Sequence, residues 1–342
     1  MTARVDVGIP TAGRRKYIHE AIDSVRAQTF TDWRLIVSVN DVGPGEDLSA
    51  YAGDDRIEVR HTGSALTAYG NKNAVIQAST APYLAILDDD DIWDPGFLER
   101  RVEVLDSNPD CAFVFSTFIE VNAEGAEVGR GLEPFAPPGV YAPETMMPAL
   151  LAHPSERLIF TAMLTALVRR SALQAVGPAF DESLPIIADY ELWLRLASRY
   201  SAGYLHSWDA SYRRHPAQDT HRTRLAPEFL DVLDRVDSML VGDLAHLRPE
   251  RGETDSHRAQ WLLSIALDAA EQGERRAAAS TLADVVRLSP RRLFDRRIPG
   301  IVAGIALGRV ATPLIASTRL YFHRRRNRDS PTPAGSSHEA IR

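Results

Sequence analysis

Four consecutive carboxylates, Asp88, Asp89, Asp90 and Asp91, follow a short apolar run, Tyr83-Leu84-Ala85-Ile86-Leu87, that reads as a buried strand. Adjacent like charges repel, so a folded chain keeps such a cluster only where something offsets them. A hard divalent cation, Mn²⁺ or Mg²⁺, bound through oxygen ligands and bridging to a phosphorylated substrate is one offset. Full solvation of an acidic loop is the other. The cluster sits directly on a strand end, where α/β sheets gather their ligands, and that context favours the cation.

The elements that must position this cluster alternate in type. Arg4–Pro10 reads as a strand, and Ile18, Ala21, Ile22 and Val25 recur at helical spacing within Lys16–Gln28. Trp33–Val39 and Arg56–His61 read as strands, Asn73–Ser79 as a helix, and Tyr83–Leu87 as the strand that delivers the aspartates. Asp94 then looks like an N-cap with Pro95 at the first helical position, opening a helix through Leu98, Val102 and Leu105. Cys111–Val121 reads as one long strand. This βαβ alternation predicts a mainly parallel sheet with helices on both faces.

Residues 122–157 interrupt the pattern with repeated glycines and prolines. An irregular segment of that length in a compact domain is functional or disordered, and Phe135, Tyr141 and Met146-Met147 make it a candidate acceptor side. Regular structure resumes with Ile159–Val168, a helix around Ser171–Val176, a helix at Asp189–Tyr200 and a last strand, Gly203–Arg213. Beyond about residue 223 the chain reads as helices, Ala226–Leu247 and His257–Leu288, and Ser330–Arg342 reads as disordered.

At 342 residues, with 44% hydrophobic and 25% charged residues, the composition is that of a soluble globular protein. The single cysteine, Cys111, excludes a disulfide or thiolate zinc framework within the chain and suits a reducing cytosol. No apolar leader precedes the first strand. From Arg275 onward 14 arginines face four acids, a net of +10 in a chain of −7, so residues 1–274 carry −17. A basic tail on an acidic body either meets an anionic surface or is solvated. Ile298–Phe322 is apolar but contains Arg309, Pro313 and Arg319, which suits lying on an anionic leaflet better than crossing one. There is no Walker A loop, no Gly-x-Ser-x-Gly elbow and no His-Glu-x-x-His.

Several of these segments together resemble the family-2 glycosyltransferases, over roughly residues 4–216. They are Val7-Gly8-Ile9-Pro10-Thr11-Ala12-Gly13-Arg14, Ala27-Gln28-Thr29-Phe30-Thr31-Asp32-Trp33, Asn71-Lys72-Asn73, Leu87–Pro95, Gly177-Pro178-Ala179-Phe180-Asp181-Glu182, Asp189–Ala197 and Tyr212-Arg213-Arg214-His215. The resemblance implies an α/β GT-A fold, a Rossmann-like nucleotide-binding mixed sheet flanked by helices, here with an α-helical C-terminal extension. It implies an inverting transfer of a sugar from a nucleotide-diphosphate donor to a hydroxyl acceptor, in cell-envelope or other glycan synthesis.

Roles follow from the same resemblance. Pro10 and Thr11 would lie against the base and ribose. Val39 stands where the family has the first acid of a base-reading pair, leaving Asn40 or Asp41 for that contact. Lys72, in place of the usual arginine, would meet the diphosphate. Asp88-x-Asp90 matches the metal-binding motif, with Asp89 reaching the ribose or donor sugar and His215 approaching the metal or the diphosphate. Asp189 would be the general base, with Ala188 replacing the acid that usually precedes it; a helix N-cap is its competing reading.

The expected organisation is a catalytic domain over 1–222, a helical extension over 223–297 and an apolar, Arg-rich tail over 298–342. Expected partners are a nucleotide-sugar donor with Mn²⁺ or Mg²⁺, a glycan, lipid-linked or small-molecule hydroxyl acceptor, and an anionic membrane surface met by the tail, with no nucleic acid. The expected place is the cytoplasm, at the inner face of the membrane. A nucleotidyltransferase and a catalytically silent sugar-nucleotide or glycan binder are the alternatives.

Overall fold

The computed structural model of the protein describes residues 3–11, 16–40, 47–131, 136–152, 162–215 and 226–307. The chain gathers into two compact units, residues 1–257 and 258–342.

In the first unit, β1 (Val5–Thr11), α1 (Ile18–Arg26), β2 (Trp33–Val39), β3 (Ile57–His61), α2 (Ala68–Ala78) and β4 (Tyr83–Ile86) build the predicted alternation. β1 lies between β2 and β4, parallel to both, and β3 runs parallel to β2. The three inner strands are apolar along most of their length because both faces are covered. Gly8 in β1 is required by the helix above it: a Cβ there would lie 2.1 Å from Val75 Cγ1 of α2. That close approach seats α2 on the sheet beside the strand ends.

After β4 the chain forms β5 (Ile92–Trp93) and α3 (Phe97–Ser107). Asp94 is not the cap of this helix. Gly96 holds the N-cap position without a side-chain bond, and Gln28 closes the end instead. Its Oε1 accepts the Leu98 N–H at 3.0 Å while its amide donates to the Asp94 carbonyl at 2.8 Å.

The strand expected over Cys111–Val121 is two, β6 (Cys111–Ser116) and β7 (Phe118–Val121), parted at Thr117. The last strand divides likewise into β11 (Ser201–Leu205) and β12 (Ala210–Arg213). With β9 (Gly139–Tyr141) and β10 (Leu167–Arg169), β6 pairs with β11 in an eight-stranded mixed sheet of order β3-β2-β1-β4-β10-β6-β11-β9, and with β8 (Glu127–Gly131), β7 pairs with β12 in a four-stranded sheet of order β5-β12-β7-β8. Two neighbouring strands therefore change sheets at one level. Arg101, fully buried, pins that level through paired bonds of 2.9 Å to Asp209 and one of 2.6 Å to Ser116 Oγ. Despite its burial, the two arginines beside it, Arg101 and Arg100, hold the Asp209 carboxyl down at about 2.

The segment expected to be irregular, 122–157, is largely ordered. β8 (Glu127–Gly131) forms a hairpin with β7, β9 (Gly139–Tyr141) extends the large sheet beside β11, and α4 (Pro143–Ala152) follows. Met146 and Met147 are fully buried, so they are core residues and not a surface for an acceptor. Tyr141 donates to the Pro137 carbonyl at 2.5 Å, and Phe135 lies outside the described residues. α5 (Ala162–Thr165), β10 (Leu167–Arg169), α6 (Arg170–Ala175) and α7 (Ala188–Ala197) complete the frame, and α8 (Ala226–Met239) follows β12. The helix expected to run to Leu247 ends at Met239, with a 3₁₀ turn at Gly242–Leu247.

The helix expected over His257–Leu288 is also two, α9 (Arg251–Gln272) and α10 (Arg275–Leu288), broken where Gly273 takes a left-handed φ of 76°. In the second unit Ala259, Leu263, Ala266, Ala270, Val285 and Ile301 form a small core that includes α11 (Ile298–Leu307). Among the described residues no helix is long and apolar enough to cross a membrane. Residues 308–342, with the rest of the predicted tail, lie outside the described residues.

Candidate active site

The ends of β1 and β2 meet the first turns of α2, and Asn71 ties them together. Its side chain donates to the carbonyls of Thr11 (3.2 Å) and Ser38 (3.0 Å) and accepts from Ser38 Oγ (2.6 Å). Pro10 is buried in β1 opposite Ser38. Thr11 Oγ1 donates to Asp89 at 2.5 Å, so Asp89 locks the aspartate turn onto β1. Asn40 is buried, and its amide holds the loop before α2 by a reciprocal pair with Leu66, 2.8 Å each way. Asp41 lies outside the described residues.

The four aspartates have four different surroundings. Asp88, the most open, pairs with Lys72 Nζ at 2.9 Å. Asp90 meets His215 Nε2 at 2.9 Å, and burial together with the Asp88 charge raises its carboxyl above the ordinary value, with His215 opposing. Asp91 is fully enclosed and accepts the Arg213 N–H at 2.9 Å. Burial and the charges of Asp90 and Asp88 lift it well above the ordinary value. The Arg213 guanidinium reaches the Asp90 carbonyl (2.9 Å) and Glu20 (2.7 Å) and lies over the Tyr17 ring at 4.2 Å. Tyr17 in turn packs on His215 with ring centroids 5.3 Å apart.

Asp189 is the second residue of α7 and not its cap, since Ile187 holds the N-cap position. Its Oδ1 accepts the Tyr190 N–H at 2.8 Å and lies 3.0 Å from the Tyr69 hydroxyl. That hydroxyl also reaches the Ile186 carbonyl at 2.6 Å, and its single proton serves one acceptor at a time. Burial pushes the Asp189 carboxyl up to about 7, against the opposing pull of Lys72, the Tyr190 N–H and Tyr69. Such a carboxyl is matched to taking a proton near neutral pH. Lys72 is partly buried and stays protonated: burial pulls its value down, and Asp88 outweighs that and raises it.

Tyr69 and Lys72 stand one helical turn apart on α2, so this helix holds Asp189 with one side chain and the aspartate turn with the other. Thr67 caps it, accepting the Gly70 N–H at 2.8 Å while donating to Glu182 at 2.8 Å. Asn73 closes a reciprocal pair with the Phe180 backbone, 3.0 Å each way. Arg195 of α7 binds the carbonyls of Val176 (3.1 Å), Pro178 (2.7 Å) and Ala179 (2.6 Å). The Gly177–Glu182 segment is thus the brace between α2 and α7.

Among the described residues no three His, Cys, Asp or Glu side chains are gathered into a metal cage. A Mg²⁺ or Mn²⁺ that takes one or two carboxylates and fills its shell with substrate phosphates needs none. Asp88 and Asp90 fit that lesser demand as hard oxygen donors, with like charges that a cation would relieve. The sequence reading identified Asp88, Asp90, Lys72 and Asp189 as chemical groups; it missed Arg213, and also Tyr69 and Glu182, which bond Asp189 and Thr67 across 120 and 115 residues of chain.

This mixed sheet flanked by helices, with acidic residues and a lysine at its strand ends, is a GT-A-like fold. The chain belongs to glycosyl transferase family 2, whose profile matches residues 6–177, just over half of its length. It is 26% identical over 131 residues to the Escherichia coli UDP-Glc:alpha-D-GlcNAc-diphosphoundecaprenol beta-1,3-glucosyltransferase WfgD, an alignment covering 38% of this chain and 51% of WfgD. In fold it is similar to S. aureus TarS 1-349 in complex with UDP-GlcNAc, with a TM-score of 0.59 at 15% identity over 93% of this chain and 92% of that one. It is similar also to the mannosyltransferase PcManGT from Pyrobaculum calidifontis in complex with GDP-Man and Mn²⁺, with a TM-score of 0.52 at 17% identity over 90% and 87%. The protein is a glycosyltransferase.

Proposed function

We propose that the protein is an inverting, metal-dependent glycosyltransferase that moves a sugar from a nucleoside-diphosphate donor to a hydroxyl acceptor in cell-envelope glycan synthesis. The observation that carries this reading is the double grip of α2: Lys72 on Asp88 and Tyr69 on Asp189, which brings a diphosphate-binding edge beside a buried base. Asp189 would take the proton of the acceptor hydroxyl as its oxygen attacks the anomeric carbon, and the bond from that carbon to the diphosphate oxygen breaks. Lys72, released from Asp88, would pair with the diphosphate. Thr11 and Asp89 would shape the ribose side, with Pro10 under the base and Asn40 or Asp41 at its edge. Asp88 and Asp90, assisted by His215, would hold Mn²⁺ or Mg²⁺, which stabilises negative charge on the leaving diphosphate.

The donor class is supported by the UDP-GlcNAc and GDP-Man complexes of the two structural neighbours, and the envelope setting by the diphosphoundecaprenol acceptor in the name of WfgD. An anionic membrane surface is the second partner in this reading. In the second unit Leu293, Phe294, Val302 and Leu307 are 46%, 91%, 49% and 61% exposed, in a stretch that also carries Arg291, Arg292, Arg296 and Arg297.

The test is nucleoside-diphosphate release from a panel of nucleotide sugars with Mn²⁺, Mg²⁺ or EDTA, paired with calorimetry of nucleoside-diphosphate binding. Asp90→Asn keeps the size of the side chain but removes a charge, and should sharply weaken Mn²⁺-dependent nucleotide binding. Equal affinity in EDTA and Mn²⁺ would remove the metal from this account.

A further inference from the structure

The start of α7, where Asp189 stands, is held by α8, a helix that lies beyond the part of the chain matching the family. Ile187, the N-cap of α7, has no side-chain oxygen to accept the first free N–H groups of its own helix. Glu228 of α8 stands nearby: its Oε2 accepts the N–H of Ile186 at 3.0 Å and of Ile187 at 3.3 Å. Two residues further on is Asp189. On the same helix the next residue, Phe229, and Val232 one turn beyond Glu228 are buried, with Phe229 against Tyr190 at a centroid distance of 5.5 Å. Arg235 then binds Asp181 and donates to Ser183 at 3.1 Å. The 181–187 loop is therefore fastened at both ends to α8, while Glu182 and Tyr69 fasten it to α2.

We propose that Glu228 is a positioning residue for the transfer step, fixing the start of α7 so that the Asp189 carboxylate faces the acceptor hydroxyl. This rests on Asp189 being the base. Glu228 touches neither substrate nor the reacting atoms. Its role is geometric: it accepts, from another helix, the backbone N–H groups of Ile186 and Ile187, the two residues that lead into α7. A charged acceptor at a helix N-terminus is also favoured by the helix dipole. A small displacement of a reacting group costs turnover without changing how the donor binds, because the proposed donor contacts lie at the ends of β1, β2 and β4 and on α2.

The experiment compares Glu228→Ala, Glu228→Asp and Glu228→Gln with the unaltered full chain, using donor and acceptor kinetics and nucleoside-diphosphate calorimetry. Glu228→Ala should lower kcat by about ten- to a hundredfold, with donor KM and nucleoside-diphosphate affinity unchanged. Glu228→Gln keeps an oxygen at the same reach and should restore most of the turnover. Glu228→Asp withdraws the oxygen by one methylene and should fall between them, which keeps the test available if Glu228→Ala does not fold. Normal kcat in Glu228→Asp and Glu228→Ala, or a loss of donor affinity in step with kcat, overturns the proposal. Asp189→Asn is measured in parallel: if it keeps its turnover, the base assignment fails, whereas an inactive Asp189→Asn beside fully active Glu228 variants defeats the positioning role alone.

Discussion

A buried carboxylate is costly for folding and useful for chemistry, and Asp189 carries both consequences. Lifted from an ordinary 3.8 to about 7, it binds a proton more tightly in the folded chain than in the unfolded one. Stability therefore falls as pH rises from about 4 to about 7, and the full cost, at most about 4 kcal/mol, is present above that range. Asp189→Asn should accordingly raise the unfolding midpoint at pH 8 while reducing transfer by ~10²-fold or more and leaving nucleotide binding nearly intact. If Asp189 is the base, kcat/KM in the unaltered enzyme should climb through about pH 7 as its carboxyl loses its proton. Turnover near the unaltered level in Asp189→Asn would move the base elsewhere. Asp189 could be found in the sequence because the Leu-Trp element follows it at a fixed spacing. Tyr69 could not, because a tyrosine two residues before Asn71 has no pattern that names a partner 120 positions away.

Elements were legible where burial imposes a period and illegible where a strand changes sheets. β1 to β4 alternate with α1 and α2 as their apolar runs require. The breaks at Thr117 and at 206–209 occur inside continuous β-type sequence, and what makes them is the buried Arg101–Asp209 pair, a contact between residues 108 apart. The cap of α3 was misplaced for a similar reason: Asp94-Pro95 has local capping chemistry, but the acceptor comes from Gln28, 70 residues earlier. The best element-level test is the seat of α2. Gly8→Ala would drive a methyl to within 2.1 Å of Val75 Cγ1, so it should destabilise the fold by about 1–3 kcal/mol in chemical denaturation. Val75→Ala in the same chain should relieve part of that loss. An unchanged midpoint in Gly8→Ala would mean that α2 is free to rise off the sheet, and the grip on Asp88 and Asp189 would lose its rigid base.

For the whole molecule the governing fact is the separation of charge, −17 over residues 1–274 against +10 beyond. If the arginines and the exposed Phe294 meet an anionic leaflet, each basic residue near the surface contributes about 1 kcal/mol, enough in number for reversible attachment. Flotation with vesicles should then depend on anionic lipid, fade at high salt and weaken in Phe294→Ser. Full-length protein that stays unbound at low salt would retire the membrane partner and leave the transfer chemistry untouched. The charge division was fully legible from the sequence; the exposure of Phe294 was not, because a short apolar run beside arginines reads equally well as the inner side of a packed turn.

The divided strands also decide how this architecture can be altered. The four-stranded sheet takes β5 from 92–93, β7 and β8 from 118–131 and β12 from 210–213, so three distant stretches of chain contribute to it. No single cut-and-paste of sequence could transplant it into a related scaffold, and a recombination breakpoint between residues 93 and 210 would assemble it from two parents. Variation in length has one economical place to accumulate on this sheet: the β7–β8 hairpin tip around Gly125, which can lengthen without either ladder changing its register.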